Sequence, residues 1–268
     1  MKRNWQATLL GAVSVVFACS AQAEPIRIGG VGSASGLINQ LAQLERADDA
    51  QVELVPSLGT TGGLRALEDG MLDIAVSGRE LKPEELARGL KVAAKLKTPF
   101  VFITSHPRPN GLRTVELADL YRRANATWSD GAPMRLVLRP RSDSDTLLLS
   151  TTFPGMAAAL EEARQRPELP TAATDQDNVN LVERLPSSLS TSTLTQVLTE
   201  RPQVRLVALD GVEPTLENFE SGKYPFFKPI YFVLSQNPKP AAQRFVAALG
   251  SPAVQSVLRA GGNVYVPQ

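Results

Sequence analysis

Residues 51–79, QVELVPSLGTTGGLRALEDGMLDIAVSGR, decide how the chain folds. Gln51 to Val55 alternates polar and apolar residues, the period of a half-buried strand. Ser57 to Gly63 (SLGTTGG) is small and hydroxyl-rich, and reads as a loop. Leu64 to Glu68 reads as a short helix, stopped by Gly70 where a left-handed residue commonly ends one. Asp73 to Val76 (DIAV) returns to strand and runs into Ser77-Gly78-Arg79. Strand, Gly/Ser/Thr loop, helix and strand form the repeating unit of an α/β fold.

The same pattern extends outward. Upstream, Pro25 to Gly30 (PIRIGG) is a strand feeding the loop Gly29 to Gly36, and Leu37, Leu41 and Leu44 recur at helical spacing. Downstream, Pro99 to Thr104 (PFVFIT) is an apolar run with the look of a buried strand. Val115 to Arg123 reads as a helix, and Met134 to Leu138 (MRLVL) as a strand. That strand enters the loop Arg139 to Thr146 (RPRSDSDT), with helix from Leu147 onward. Val204 to Leu209 is a further strand, and Tyr231 to Leu234 lies in an apolar run. The tail holds two helices, Pro240 to Leu249 and Ser251-Pro252 to Ala260, the second stopped by Gly261-Gly262.

Three strands thus end in small, hydroxyl-bearing loops, after Ile28, Val55 and Val76, and a fourth ends in the Arg/Ser/Asp/Thr loop after Leu138. In open α/β sheets ligands bind beyond the carboxyl ends of the strands, where helix N-termini offer unpaired N–H groups suited to an anion. Ser33, Ser35, Thr60, Thr61, Ser77, Ser144 and Thr146 are candidate hydroxyl donors, and Arg139 or Arg141 the charged partner. The same residue types also serve as plain helix caps and turns. The pattern leaves both readings open.

Composition narrows the chemistry. The chain has 268 residues, 43% hydrophobic and 21% charged, with a formal charge of +1. That near-neutral balance gives no global reason to expect nucleic acid or a membrane surface as partner. One histidine, His106, and one cysteine, Cys19, exclude a zinc site built from Cys and His. Residues 1–23 read as a secretory leader: basic Lys2 and Arg3, the uncharged run Ala7 to Ala18, then Ala21-Gln22-Ala23 before Glu24. A competing reading is cleavage before Cys19 and acylation of its sulfur. Cleavage after Ala23 removes the only cysteine, and loss of Lys2 and Arg3 brings the net charge to about −1. His106 reads as a surface or hinge residue, and Arg79 as a partner of Glu80 or Glu84 at least as well as a cleft residue. Asp175-Gln176-Asp177-Asn178 reads as a polar turn, lacking the Gly and Glu of an EF-hand loop. Phe226-Phe227 reads as core.

On these residues the chain resembles the substrate-binding proteins of phosphate ABC transporters. Gly59-Thr60-Thr61-Gly62-Gly63 followed by Asp73-Ile74-Ala75-Val76-Ser77 is similar to that family's GSSGG-like loop and strand end. Leu117 to Tyr121 with Trp128-Ser129-Asp130-Gly131, Ser144-Asp145-Thr146, and Tyr224-Pro225 with Pro229 to Leu234 match further stretches in order. The resemblance implies an α/β, two-lobed periplasmic binding protein of type II, with a ligand cleft between lobes joined by two crossing strands. It implies lobe 1 over residues 24–104 plus 208–268 and lobe 2 over 105–207, with the hinge near Ile103 to Ser105 and Leu206 to Leu209. It makes Thr60 a ligand hydroxyl, puts Ala34 and Ser35 on first-loop contacts, and makes Ser144, the Asp145 N–H and Thr146 a second-lobe anion cradle. Three departures stand out. Gly78 replaces an aspartate, Ala34 lacks a hydroxyl, and Pro140 falls where the family's arginine lies, with Arg141 slightly preferred over Arg139. Asp143 or Asp145 replaces the missing acceptor from the opposite lobe, or else caps the following helix.

The implied function is an exported, monomeric solute-binding protein that delivers a small oxyanion, phosphate favoured, to an inner-membrane ABC permease. No catalysis, cofactor, metal or nucleic acid is expected. Two other classes remain: a periplasmic sensor or accessory module on the same fold, and a phosphatase-like hydrolase, which His106 alone would have to serve as base. Mass spectrometry of the exported protein is expected to show an unmodified chain beginning at Glu24; an acylated Cys19 at the N-terminus would reverse that expectation.

Overall fold

The computed structural model describes residues 25–45 and 51–267. The expected leader, with Cys19, lies outside the described residues. In chain order the first elements are β1 (Ile26–Gly30), α1 (Ser35–Glu45), β2 (Val52–Val55), α2 (Gly59–Glu68), β3 (Ile74–Ser77), α3 (Pro83–Ala87) and β4 (Lys91–Thr104). α4 (Leu117–Arg122), β5 (Arg135–Leu136), α5 (Ser144–Thr152), α6 (Met156–Ala163), α7 (Asp175–Arg184), β6 (Ser188–Thr193) and α8 (Leu194–Glu200) follow. β7 (Arg205–Val207), α9 (Leu216–Glu220), β8 (Phe227–Leu234), α10 (Pro240–Ala248), α11 (Pro252–Ala260) and β9 (Val264–Val266) complete the fold. It is a mixed α/β architecture on a central mixed sheet.

The sheet runs in the order β2-β1-β3-β8-β4-β6-β5, with β7 and β9 also paired to β4. β1, β2 and β3 are parallel, so α1 and α2 must cross over between them. β8 and β4 are antiparallel to their neighbours and stitch this parallel unit to the rest. β4 is the longest strand. Its buried positions Ala94, Leu96 and Thr98 alternate with half-buried Lys95 and Lys97, and from there to Thr104 it is buried throughout. The expected strand at Pro99 to Thr104 is therefore only its second half. The first half escapes hydropathy because its outward positions are lysines, whose ammonium groups lie over the rings of Tyr231 and Phe227.

Of four sets of buried side chains, the two largest mark two halves. Ile28, Leu37, Leu41, Ile74, Leu96 and Phe232 belong to one, with α10 and α11 closing it. Phe100, Phe102, Tyr121, Trp128, Leu136, Phe153 and Tyr224 belong to the other. Membership changes on β4 between Leu96 and Phe100 and on the return between Tyr224 and Ile230. One unbroken strand, β4, passes through both cores. Tyr224 ties the return to the outgoing strand, its hydroxyl donating to Phe100 O at 2.8 Å.

β6 is missing from the sequence expectation for a physical reason: SLSTST carries almost no hydropathy, yet all six residues are buried. Their hydroxyls are absorbed inside the protein, with Ser190 bonded to Asn178 at 2.6 Å and Asn178 donating in turn to Thr191 O at 2.8 Å.

A fully buried ion pair joins the halves. Lys228 on β8 has no exposed surface, and its ammonium is bonded to the carboxylate of Asp145 on α5, itself 1% exposed. Removing one member of such a pair leaves an uncompensated buried charge at a cost of about 3–5 kcal/mol. Lys228→Met is expected to lose about that much unfolding free energy in urea titrations, and adding Asp145→Leu to recover most of it.

Candidate functional site

A cavity of about 160 Å³ lies between the halves, where the start of α2 faces the segments leading into α5 and α7. On one side its wall is Gly32 and residues 57–61; on the other it is Arg139, Pro140, residues 142–144 and residues 173–176. Of the expected ligand residues, Thr60, Thr61, Arg139 and Ser144 are on this wall.

The stretch expected as a loop, GTTGG, is the first turn of α2, which begins at Gly59. Gly59 has φ +62°, a left-handed turn that a side chain rarely tolerates and that bends the chain into the helix. The N-cap is Leu58, with no side-chain cap, and no acid stands in the first turn. The N–H groups at this helix end are thus left without a side-chain acceptor. Thr60 Oγ1 accepts the Gly78 N–H at 2.9 Å, which locks α2 to the end of β3.

The opposite side is self-satisfied. α5 begins at Ser144, three residues before the expected start, with Asp143 as its N-cap. One Asp143 oxygen accepts the Asp145 N–H at 2.9 Å and the other pairs with Arg139 Nη2 at 2.7 Å. The N–H expected to cradle an anion is therefore held by Asp143, whose capping alternative is the one the structure adopts. The Thr146 hydroxyl donates to Arg139 O at 3.3 Å, and the Asp145 carboxylate is committed to Lys228.

Of the two candidate arginines, Arg139 and not Arg141 is on the cavity wall. Arg141 is exposed and bonded to Glu161, whereas Arg139 is 4% exposed and lines the cavity. Arg139 Nη1 donates to Ala172 O at 3.0 Å, and its buried Nε donates to nothing. Burial works against its charge, but Asp175, Asp143 and Asp145 hold its pKa above the ordinary arginine value. Lys228 follows the same pattern: burial pulls its pKa down, and Asp145, Asp175 and Asp143 outweigh it.

Ser33, Ala34, Ser35 and Ser77 are not on the wall. Ser33 and Ala34 turn inward in a buried 3-10 turn, and Ser77 is buried with its hydroxyl bonded to Arg79 O. Gly78 has a steric explanation. A Cβ there would lie 2.8 Å from both Ser144 Oγ and Lys228 Cε, so the approach of the two halves leaves no room for a carboxylate. Arg79 pairs with Glu85, not Glu80 or Glu84, through two 2.8 Å bonds.

Sequence reasoning missed three residues here. Asp175 and Gln176 open α7 instead of forming a polar turn, and the Thr174-x-x-Asp177 capping box was the readable signal. Lys228 had no signal, since only its burial marks it. His106 is not a surface residue. At 2% exposure it stacks on Trp128 and pairs through Nε2 with Asp130 at 3.1 Å. Among the described residues no three His, Cys, Asp or Glu side chains converge to hold a metal ion, and no helix is long and apolar enough to cross a membrane.

The family model of the PBP superfamily domain matches residues 17–252. The chain belongs to this family. Its fold is that of phosphate ABC-transporter substrate-binding proteins, the type II periplasmic binding protein fold. It is similar to a putative phosphate ABC transporter substrate-binding protein from Clostridium perfringens solved with bound phosphate, at 21% identity and TM-score 0.77, covering 91% of this chain and 100% of that one. An ABC-type phosphate transport receptor from Vibrio cholerae aligns at 17% identity and TM-score 0.62, over 90% and 100% of the two chains. A periplasmic molybdate-binding protein from Azotobacter vinelandii aligns at 13% and 0.59, over 91% and 100%. These neighbours are solute-binding proteins, not enzymes. A search of curated proteins found no match.

A hydrogen-bonded link crosses the cavity mouth. Gln176 Nε2 donates to Gly32 O at 2.9 Å and to Glu200 Oε1 at 3.1 Å, while Gln196 Nε2 reaches the other Glu200 oxygen at 3.0 Å. Burial raises the Glu200 pKa above its ordinary 4.5, against the two amides. A carboxyl raised on folding binds more protons folded than unfolded, so its contribution to stability is present below pH 4.5 and fades as pH rises through the raised value. Urea midpoints measured from pH 4 upward are expected to show this decline in the wild type and a flatter profile in Glu200→Gln.

Proposed function

We propose that the protein is an exported solute-binding protein whose cleft takes a small oxyanion, phosphate favoured, and delivers it to an inner-membrane ABC permease. One observation carries the reading: a cavity between two halves, with an uncapped helix N-terminus on one wall and a buried arginine on the other. The oxyanion sits on the first-turn N–H groups of α2, receives the hydroxyls of Ser57 and Thr61, and is faced by Arg139. Nothing is transformed. The halves act as two lobes that hinge where β4 and the segment entering β8 cross, and the ligand stabilises the closed arrangement through its extra contacts there. The protein works in the periplasm as a monomer. Phosphate and molybdate ligands in neighbours of this fold support an oxyanion as the class of cargo.

Calorimetric titration with phosphate and sulfate tests the reading. Saturable binding of one of them is expected. Losing charge-assisted hydrogen bonds costs about 1.5–3 kcal/mol, so Arg139→Gln is expected to weaken it roughly tenfold to hundredfold, with circular dichroism confirming an intact fold. Arg141→Gln is expected to bind as the wild type does. Failure of every oxyanion to bind, or unchanged affinity in Arg139→Gln, rules the reading out.

A further inference from the structure

One carboxylate of the cleft stands apart from the Arg139–Asp143 pair. Asp175 stands at the first position of α7, lines the cavity and is 5% exposed. No hydrogen bond to its carboxylate is found among the described residues. Its cation is Arg139 Nη2 at 3.6 Å, and that nitrogen is already bonded to Asp143 at 2.7 Å. With no protein donor, the carboxylate is open to a donor from a ligand in the cavity it lines.

The charges on the wall are arranged by side. Residues 57–61 and Gly32 carry none, and the field there comes from the uncapped positive end of α2. Across from them stand Asp143 and Asp175, with Arg139 as the single cation on the wall, since Lys228 is committed to Asp145. The wall is thus positive at the α2 end and net negative at the α7 end. A bare dianion would bring more negative charge to two carboxylates whose nearby cations, Arg139 and Lys228, are already engaged. The space also exceeds a bare tetrahedral oxyanion, for a cavity of about 150 Å³ houses benzene.

We propose that the ligand is a small zwitterion: a phosphoryl or phosphonate group on the N-terminus of α2, joined by a short chain to an ammonium on Asp175. This rests on the oxyanion reading above and narrows its substrate class. The anionic end uses the N–H groups and hydroxyls of residues 57–61, and the cationic end gives Asp175 the donor it lacks. Asp175 is the residue that sets specificity, by rewarding a positive group and repelling a second negative one.

Calorimetric titration of the purified protein with inorganic phosphate, ethylphosphonate, 2-aminoethylphosphonate and O-phosphoethanolamine tests this. The last two separate a phosphonate from a phosphate ester. An ammonium-bearing compound is expected to bind tenfold to hundredfold tighter than ethylphosphonate and phosphate. In Asp175→Asn that preference is expected to shrink to near unity while ethylphosphonate binds at least as well as before. If Asp175→Asn does not fold, the wild-type ratio decides by itself. Phosphate or ethylphosphonate binding as tightly as the ammonium compounds, or a preference that survives in Asp175→Asn, overturns the zwitterion and leaves the oxyanion reading standing. Binding of none of the four overturns both.

Discussion

A lysine with no exposed surface holds the two halves of this molecule in register. Lys228 comes from the strand that returns to the first core, Asp145 from the first turn of a helix packed on the second, and their ion pair is out of reach of water. Charges so buried tolerate little displacement, because desolvation is offset only while the geometry is kept. The pair therefore dictates what surrounds it. Position 78 favours glycine, since a Cβ would come within 2.8 Å of Lys228 Cε and Ser144 Oγ and displace them. α5 must approach with its N-terminus toward the cleft, which brings Asp143 onto Arg139 and so completes the acidic wall.

In the proposed reading, anion recognition and charge balance pull the site in different directions. Overall the chain is close to neutral, so attraction of an anion has to be local. On the α2 side the proposed attraction comes from backbone N–H groups and neutral hydroxyls, where no counter-charge is needed. On the other side the arginine is compensated by two carboxylates before any ligand arrives. Such a site discriminates by the placement of charge within the ligand as well as by its net amount.

Much of the fold was legible because its signals are local. The alternation of QVELV, the glycine-rich entry to α2 and DIAV gave the parallel unit, and Ser251-Pro252 marked the start of α11, where Ser251 caps Val254 as expected. Signals failed where side-chain chemistry hid the element. β6 is a strand written in serine and threonine, and the first half of β4 is masked by lysines that fold back over aromatic rings. The glycine and Ser/Asp/Thr loops were recognised, yet each is the first turn of a helix. Capping residues and loop residues are the same types, so composition does not separate them.

The site divided along the same line. Thr60, Thr61, Arg139 and Ser144 could be chosen from spacing after a strand, because strand ends and helix starts are neighbours in sequence and in space. Choosing between Arg139 and Arg141 needed the tertiary structure, since the two lie two residues apart and only packing sends one inward and the other to Glu161. Asp175 and Lys228 are far from those loops along the chain and are brought to them only by the tertiary fold. The amino-acid sequence by itself determined an α/β chain with hydroxyl- and glycine-rich strand ends and with too few Cys and His for a zinc cluster. Which charges face one another across the cleft was decided by the tertiary structure alone, because a charge's partner depends on distances that no local pattern records.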